Sequence, residues 1–129
     1  MSTLKVNTIQ DSSGANSSTP SAIANGIAKA WVNFNGQGVI SIRASYNVTS
    51  ITDGGTGNYT VNYTNSFADV NYVITAHVSE GGAYGSQIIH RVSESGGNNP
   101  TASNTQFLTL EANSGSTFDA KGVYVAIFR

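Results

Sequence analysis

No cysteine occurs anywhere in the 129 residues, which excludes disulfide staples, thiol nucleophiles and thiolate metal sites together. Stability must then come from packing or from association between chains. Charge is scarce as well: 10% of the residues are charged, against roughly 25% in ordinary soluble domains. The exposed faces are therefore covered by hydroxyls, amides and glycine. The six Lys and Arg are scattered singly in a chain of net charge -1, so there is no basic stripe to neutralise phosphates or to meet an anionic membrane. Neither nucleic acid nor lipid is an expected partner. No apolar run approaches the ~20 residues of a membrane span, and no basic stretch followed by an apolar one opens the chain. The expectation is a protein made in a cytosol and not inserted into a membrane. Asn-X-Ser/Thr sequons begin at Asn16, Asn47, Asn58 and Asn62, and without a secretory signal they read as by-products of an Asn- and Thr-rich composition.

The length suits one domain, and 39% hydrophobic residues with 9% aromatics are enough to build its core. Residues 1–28 read as an arm, a linker and a short helix, and residues 29–129 as the folded body. Leu4 to Ile9 alternates in the manner of a short strand and then breaks into Asp-Ser-Ser-Gly-Ala-Asn-Ser-Ser, too polar to pack. Thr19 can cap a helix, Pro20 suits its first position and Gly26 its end, which leaves Ser21 to Asn25 as a short turn of helix that must dock to persist. From Ala30 onward the period becomes two. Strands are expected near Ala30–Phe34, Val39–Ala44, Val48–Thr52, Asn58–Thr64, Tyr72–Val78, Gln87–Ser93, Gln106–Glu111 and Gly122–Phe128. Asn35-Gly36 with Gly38, and Asp53-Gly54-Gly55-Thr56-Gly57, predict hairpin turns. The fold class that follows is all-β, a single antiparallel β-sandwich of jelly-roll-like type with an extended N-terminal arm.

Chemistry finds little to work with. His77 and His90 are the only candidate bases, no Gly-X-Ser-X-Gly elbow occurs, and a cross-strand hydrogen bond is the ordinary role for each histidine. Asp11, Asp53, Asp69 and Asp119 form no metal-binding pattern, and Gly54 to Gly57 lacks the Lys-Ser/Thr and the following helix of a phosphate loop. No enzyme activity, cofactor or metal is expected. The aromatic residues admit a carbohydrate-binding reading, in which an exposed ring stacks on a sugar, beside the plain alternative that they form the core. Trp31 and Phe34 fall on opposite faces of one strand, so at least one should pack inside. Tyr84, in the Gly-rich loop Glu80 to Ser86, is the candidate for an exposed receptor contact; a second long loop is expected over Glu94 to Asn104.

The last strand is apolar on both sides, with Val123, Val125 and Ile127 on one and Tyr124, Ala126 and Phe128 on the other. It is either central in the sandwich or covered by a neighbouring subunit, which makes Val123, Tyr124, Val125, Ile127 and Phe128 candidates for an oligomer interface.

The stretch Lys-Ala-Trp-Val-Asn-Phe-Asn-Gly at 29–36, then Val39 to Arg43, Tyr46 to Asp53 and Gly57 to Tyr63, resembles a module of structural proteins from marine and freshwater bacteriophages, cyanophages among them. The opening Ser2 to Gln10 is similar to the amino-terminal arm that such proteins carry. The resemblance covers the arm and about the first half of the body. It implies a tail-fibre-like virion component, a homotrimer with an anchoring arm and a distal β body; Leu4, Val6 and Ile9 are then the expected contacts of the arm with other virion proteins or a neighbouring subunit, and a host surface glycan is a further candidate partner. A capsid decoration protein and a free sugar-binding lectin are the alternatives.

Overall fold

The computed structural model describes residues 2–79, 88–89, 100–111 and 114–129. Among them the chain forms α1 (Pro20–Gly26), β1 (Ala30–Asn35), β2 (Ser41–Tyr46), β3 (Val48–Asp53), β4 (Asn58–Tyr63), β5 (Val73–Ser79), β6 (Ile88–Ile89), β7 (Asn104–Leu110) and β8 (Gly122–Phe128). All pairings between these strands are antiparallel, in the order β2-β1-β8-β5 in one sheet and β3-β4-β7-β6 in the other. The chain changes sheet after β2, β4, β5 and β7, and the result is the jelly-roll-like antiparallel sandwich that the strand spacing predicts.

Alternation explains the layering. Along β1 the even positions Ala30, Val32 and Phe34 are buried, and along β4 the odd positions Tyr59, Val61 and Tyr63 are buried. Side chains on a strand point to alternate faces, so each strand sends one set inward and leaves the other outside. Phe34, Tyr59 and Phe107 meet at the centre, with ring centroids 5.2 Å apart for Phe34–Tyr59 and 6.0 Å for Tyr59–Phe107. Tyr63, Phe67 and Tyr72 form a second aromatic cluster. Burial pushes the Tyr59 hydroxyl far up from its ordinary pKa; it donates to the Gly36 carbonyl at 2.9 Å, and Asp119 Oδ1 lies 3.0 Å away. The hydroxyl thus ties β4 to the β1–β2 turn and to the segment before β8.

Both expected hairpins form. Gly38, at φ +64°, lies in the β1–β2 connection, and the Asp53 to Gly57 turn is closed by Gly54 N to Asn58 O at 2.8 Å. The expected strand over Gln87–Ser93 is described only at Ile88–Ile89; its other residues, with Tyr84 and His90, lie outside the described residues. β7 begins at Asn104, the last residue of the segment expected to be a loop, because Thr105 takes an inward position that its polar side chain disguises.

The arm departs from expectation. Leu4 to Ile9 is not a strand: its one ladder contact is an isolated bridge, Ile9 with Ser18, since no body edge lies alongside to supply partners. The polar stretch that follows is an organised turn. Asp11 Oδ1 accepts from Ser13 N at 3.0 Å and Ala15 N at 2.9 Å, and Oδ2 accepts from the Asn16 amide at 2.9 Å. Hydrogen bonds from Ser13 and Asn16, to the charged form, hold the Asp11 carboxyl below the usual carboxylate range. Helix α1 is capped as expected, with Thr19 Oγ1 accepting from Ala22 N at 3.2 Å and Pro20 at its start. It does not dock deeply, contrary to expectation: none of its residues is buried, because a seven-residue turn with Ile23 as its one large aliphatic side chain has little apolar surface to offer.

Candidate binding face

β8 lies between β1 and β5, and this placement sorts the residues expected at an oligomer interface. Val123, Val125 and Ile127 are buried in the chain's own core, opposite Phe34, Val32 and Ala30 on β1. That corrects their expected role, since a side chain enclosed by its own two sheets has no surface for another subunit. Tyr124, Ala126 and Phe128 face outward by the same alternation.

Pairing carries this outward set across the sheet. Thr75, Ala126, Trp31 and Tyr46 lie opposite one another in one row, and His77, Tyr124, Asn33 and Ala44 in the next. A third row pairs Val73 with Phe128. No Lys, Arg, Asp or Glu stands among these side chains, and large rings are left in solvent: Trp31 is 40% exposed, Tyr124 38% and Tyr46 57%. Monomeric surfaces seldom group exposed aromatic residues in this way.

Between Trp31 on one side and Tyr124 with His77 on the other, the face sinks into an open depression of about 290 Å³. Small side chains make it, since Ala126 stands in the row between Trp31 and Thr75. His77 stacks on Tyr124, with centroids 6.4 Å apart and planes at 23°. Register places the two rings side by side across the β5–β8 pair. Tyr124 Oη and Ser79 Oγ lie 3.3 Å apart. Asn33 Oδ1 accepts from Arg43 Nη1 at 3.2 Å, and its amide nitrogen has no partner among the described residues. Arg43 itself is held by the carbonyls of Phe34 and Lys121, at 3.3 Å and 2.6 Å. The face therefore offers flat ring surfaces around a mainly apolar depression, with no Lys, Arg, Asp or Glu lining it.

Trp31 and Phe34 divide as expected, Phe34 fully buried and Trp31 outside. In the arm, Leu4, Val6 and Ile9 are exposed, at 84%, 39% and 52%, and border a shallow open hollow of about 540 Å³ beside Pro20. Ile27, Val70 and Val73 are further exposed apolar side chains. No group of three or more His, Cys, Asp or Glu residues placed to hold a metal lies among the described residues. No helix among them is long and apolar enough to cross a membrane.

Fold and face together define an antiparallel β-sandwich with an unpacked apolar arm and an aromatic outer sheet face. Comparison with protein-family models, with curated proteins and with solved structures gives no match.

Proposed function

We propose that the chain is a bacteriophage virion structural protein, a homotrimeric tail-fibre or appendage module anchored by its N-terminal arm and presenting the sandwich for host attachment. One observation carries the reading: three apolar side chains of the arm, Leu4, Val6 and Ile9, stand in solvent while the body closes a core without them. An arm that contributes nothing to its own domain keeps exposed apolar groups only at a cost, and a partner that covers them recovers it. The resemblance of the opening residues and of the first four strands to phage structural modules supplies the kind of partner. Val73, exposed, pairs with Phe128 in the register of β5 with β8, and the two serve contact between copies. The role is construction, with no reaction and no cofactor.

Deleting residues 1–12 tests the arm. The truncated chain should melt within about 2 °C of the full chain, since none of the described residues removed, 2–12, is buried, and it should be lost from purified particles. Normal incorporation of the truncated chain would contradict the proposal. Binding of the purified full chain to emptied capsids but not to host cells would move the assignment to capsid decoration.

A further inference from the structure

We propose that Asn25 is a self-modifying site: in the folded chain the Gly26 main-chain nitrogen turns its side-chain amide into a carboxylate, while the same pair of residues at Asn35-Gly36 stays intact. The site stands apart from the assembly reading, because a chain that never entered a particle would carry it too.

The reaction consumes only water. The Gly26 nitrogen gives up its proton and bonds to Asn25 Cγ, the bond from Cγ to the amide nitrogen breaks, and ammonia leaves. Water then opens the resulting cyclic imide at either of its carbonyls, which gives aspartate or isoaspartate at position 25. A glycine after the asparagine favours the attack, because no Cβ crowds the nitrogen or restricts the backbone turn it must make. Asn-Gly occurs twice in the chain, at 25–26 and at 35–36, so local peptide chemistry alone would make the two equivalent.

The fold separates them. At Asn35 every participant is held. Its amide nitrogen donates to the carbonyls of Gln37 at 2.6 Å and Val39 at 3.2 Å. The nucleophile, Gly36 N, donates to Ala120 O at 2.9 Å, and Gly36 O accepts from the Tyr59 hydroxyl at 2.9 Å. Space is closed as well, since a Cβ on Gly36 would lie 2.5 Å from Tyr59 Oη and 2.9 Å from Ala120 O. Attack there requires the end of β1 to leave the sandwich. At Asn25 nothing comparable stands in the way. Both residues of the pair are exposed, and the Asn25 side chain makes no hydrogen bond among the described residues. A Cβ on Gly26 would meet nothing within 4 Å. Gly26 is the last residue of α1, so its N–H is tied only by the helix's own bond one turn back. A seven-residue helix with no buried residue has no packing to keep it closed, and its last turn frays.

Conversion acts on the tether between arm and body. The new carboxylate stands at the C-terminal end of α1, where the helix's own carbonyls already gather negative potential, and isoaspartate adds a carbon to the main chain. Both changes unwind the helix. Seven residues span about 10 Å as a helix and up to about 23 Å when extended, so the arm gains reach slowly and irreversibly.

The full chain is incubated warm at neutral pH and sampled over weeks, once folded and once in urea that unfolds it. Trypsin cuts after Lys29 and Arg43, which places Asn25 and Asn35 in separate peptides, 6–29 and 30–43, and fragment masses locate each conversion. In the folded chain Asn25 should convert about tenfold faster than Asn35, or more, and in urea the two rates should converge. Asn25→Gln should abolish conversion at position 25, since the longer side chain closes its ring far more slowly, and leave Asn35 as it was. Elastase, which cuts after small residues such as Ala24, should cleave α1 faster in the aged chain than in the fresh one, and equally in fresh and aged Asn25→Gln. Equal rates at the two sites in the folded chain, a faster Asn35, or an Asn25 that stays intact in the fold while converting in urea would each overturn the proposal. Conversion of Asn25 without quicker cleavage in α1 would overturn its action on the tether.

Discussion

Gly57→Ala should lower the melting temperature of the body by about 10 °C or more. Gly57 holds φ at +65°, a left-handed conformation that costs an ordinary residue ~1–2 kcal/mol. Space is the harder constraint. A Cβ at this position would lie 2.7 Å from Phe118 O, 2.8 Å from Phe118 N and 2.8 Å from Thr109 O, all main-chain atoms that cannot swing aside. Those atoms belong to one network: Thr109 N donates to Gly57 O at 2.7 Å, Gly57 N donates to Asp119 Oδ1 at 2.7 Å, and the Thr109 hydroxyl bonds the Phe118 carbonyl. Forcing a methyl group between them adds ~1–3 kcal/mol of overpacking. The total is a large share of a typical 5–15 kcal/mol stability. Gly115→Ala is the matched control, since Gly115 has nearly the same φ, +68°, and open space around it. It should cost about 1 kcal/mol. Thermal denaturation followed by circular dichroism reads both, and equal melting temperatures for the two variants would contradict this account of the turn.

Phe34→Ala should destabilise the body by about 3–5 kcal/mol, the usual cost of emptying a fully buried phenylalanine site. Its ring meets Tyr59 edge-on and leans on Phe107, so its removal opens a cavity where the two sheets join. Trp31→Ala, three positions earlier on the same strand, removes a larger side chain that faces outward and should cost only about 1 kcal/mol. Urea denaturation with the midpoint and slope fitted separately distinguishes the two. If Trp31→Ala proved the costlier, the assignment of inner and outer faces would be reversed.

Local pattern made the strands readable. Alternation and glycine-rich breaks place seven of the eight within a few residues, and Gly122–Phe128 coincides with β8, because period-two burial is written directly in neighbouring letters. A polar letter at an inner position hides the start of β7: Thr105, one residue before the expected start, is fully buried. Strand order is less accessible. Nothing in the residues of β8 tells whether its second apolar side meets a sheet of its own chain or another subunit; its insertion between β1 and β5 decides that for Val123, Val125 and Ile127.

The binding face was legible only in pieces. Trp31, Asn33, His77 and Tyr124 come from three strands spread over most of the chain, and only the registers of β1 with β8 and of β8 with β5 bring them together. Sequence reasoning named Trp31 as an aromatic to be placed, Tyr124 as an interface residue and His77 as a lone histidine, and looked for ligand contact at Tyr84 because loops commonly carry function. Residue parity was the available signal: Trp31 and Tyr124 each alternate with residues that a core would claim. The arm illustrates the opposite failure, since its alternation suggested a strand where no edge is present to pair it.

Sedimentation equilibrium of the full chain at micromolar concentration tests the central claim most directly, that the apolar groups outside the sandwich belong to contacts between chains. The account predicts a species of three times the 13.4 kDa chain mass. A single 13.4 kDa species at every concentration reached would contradict it.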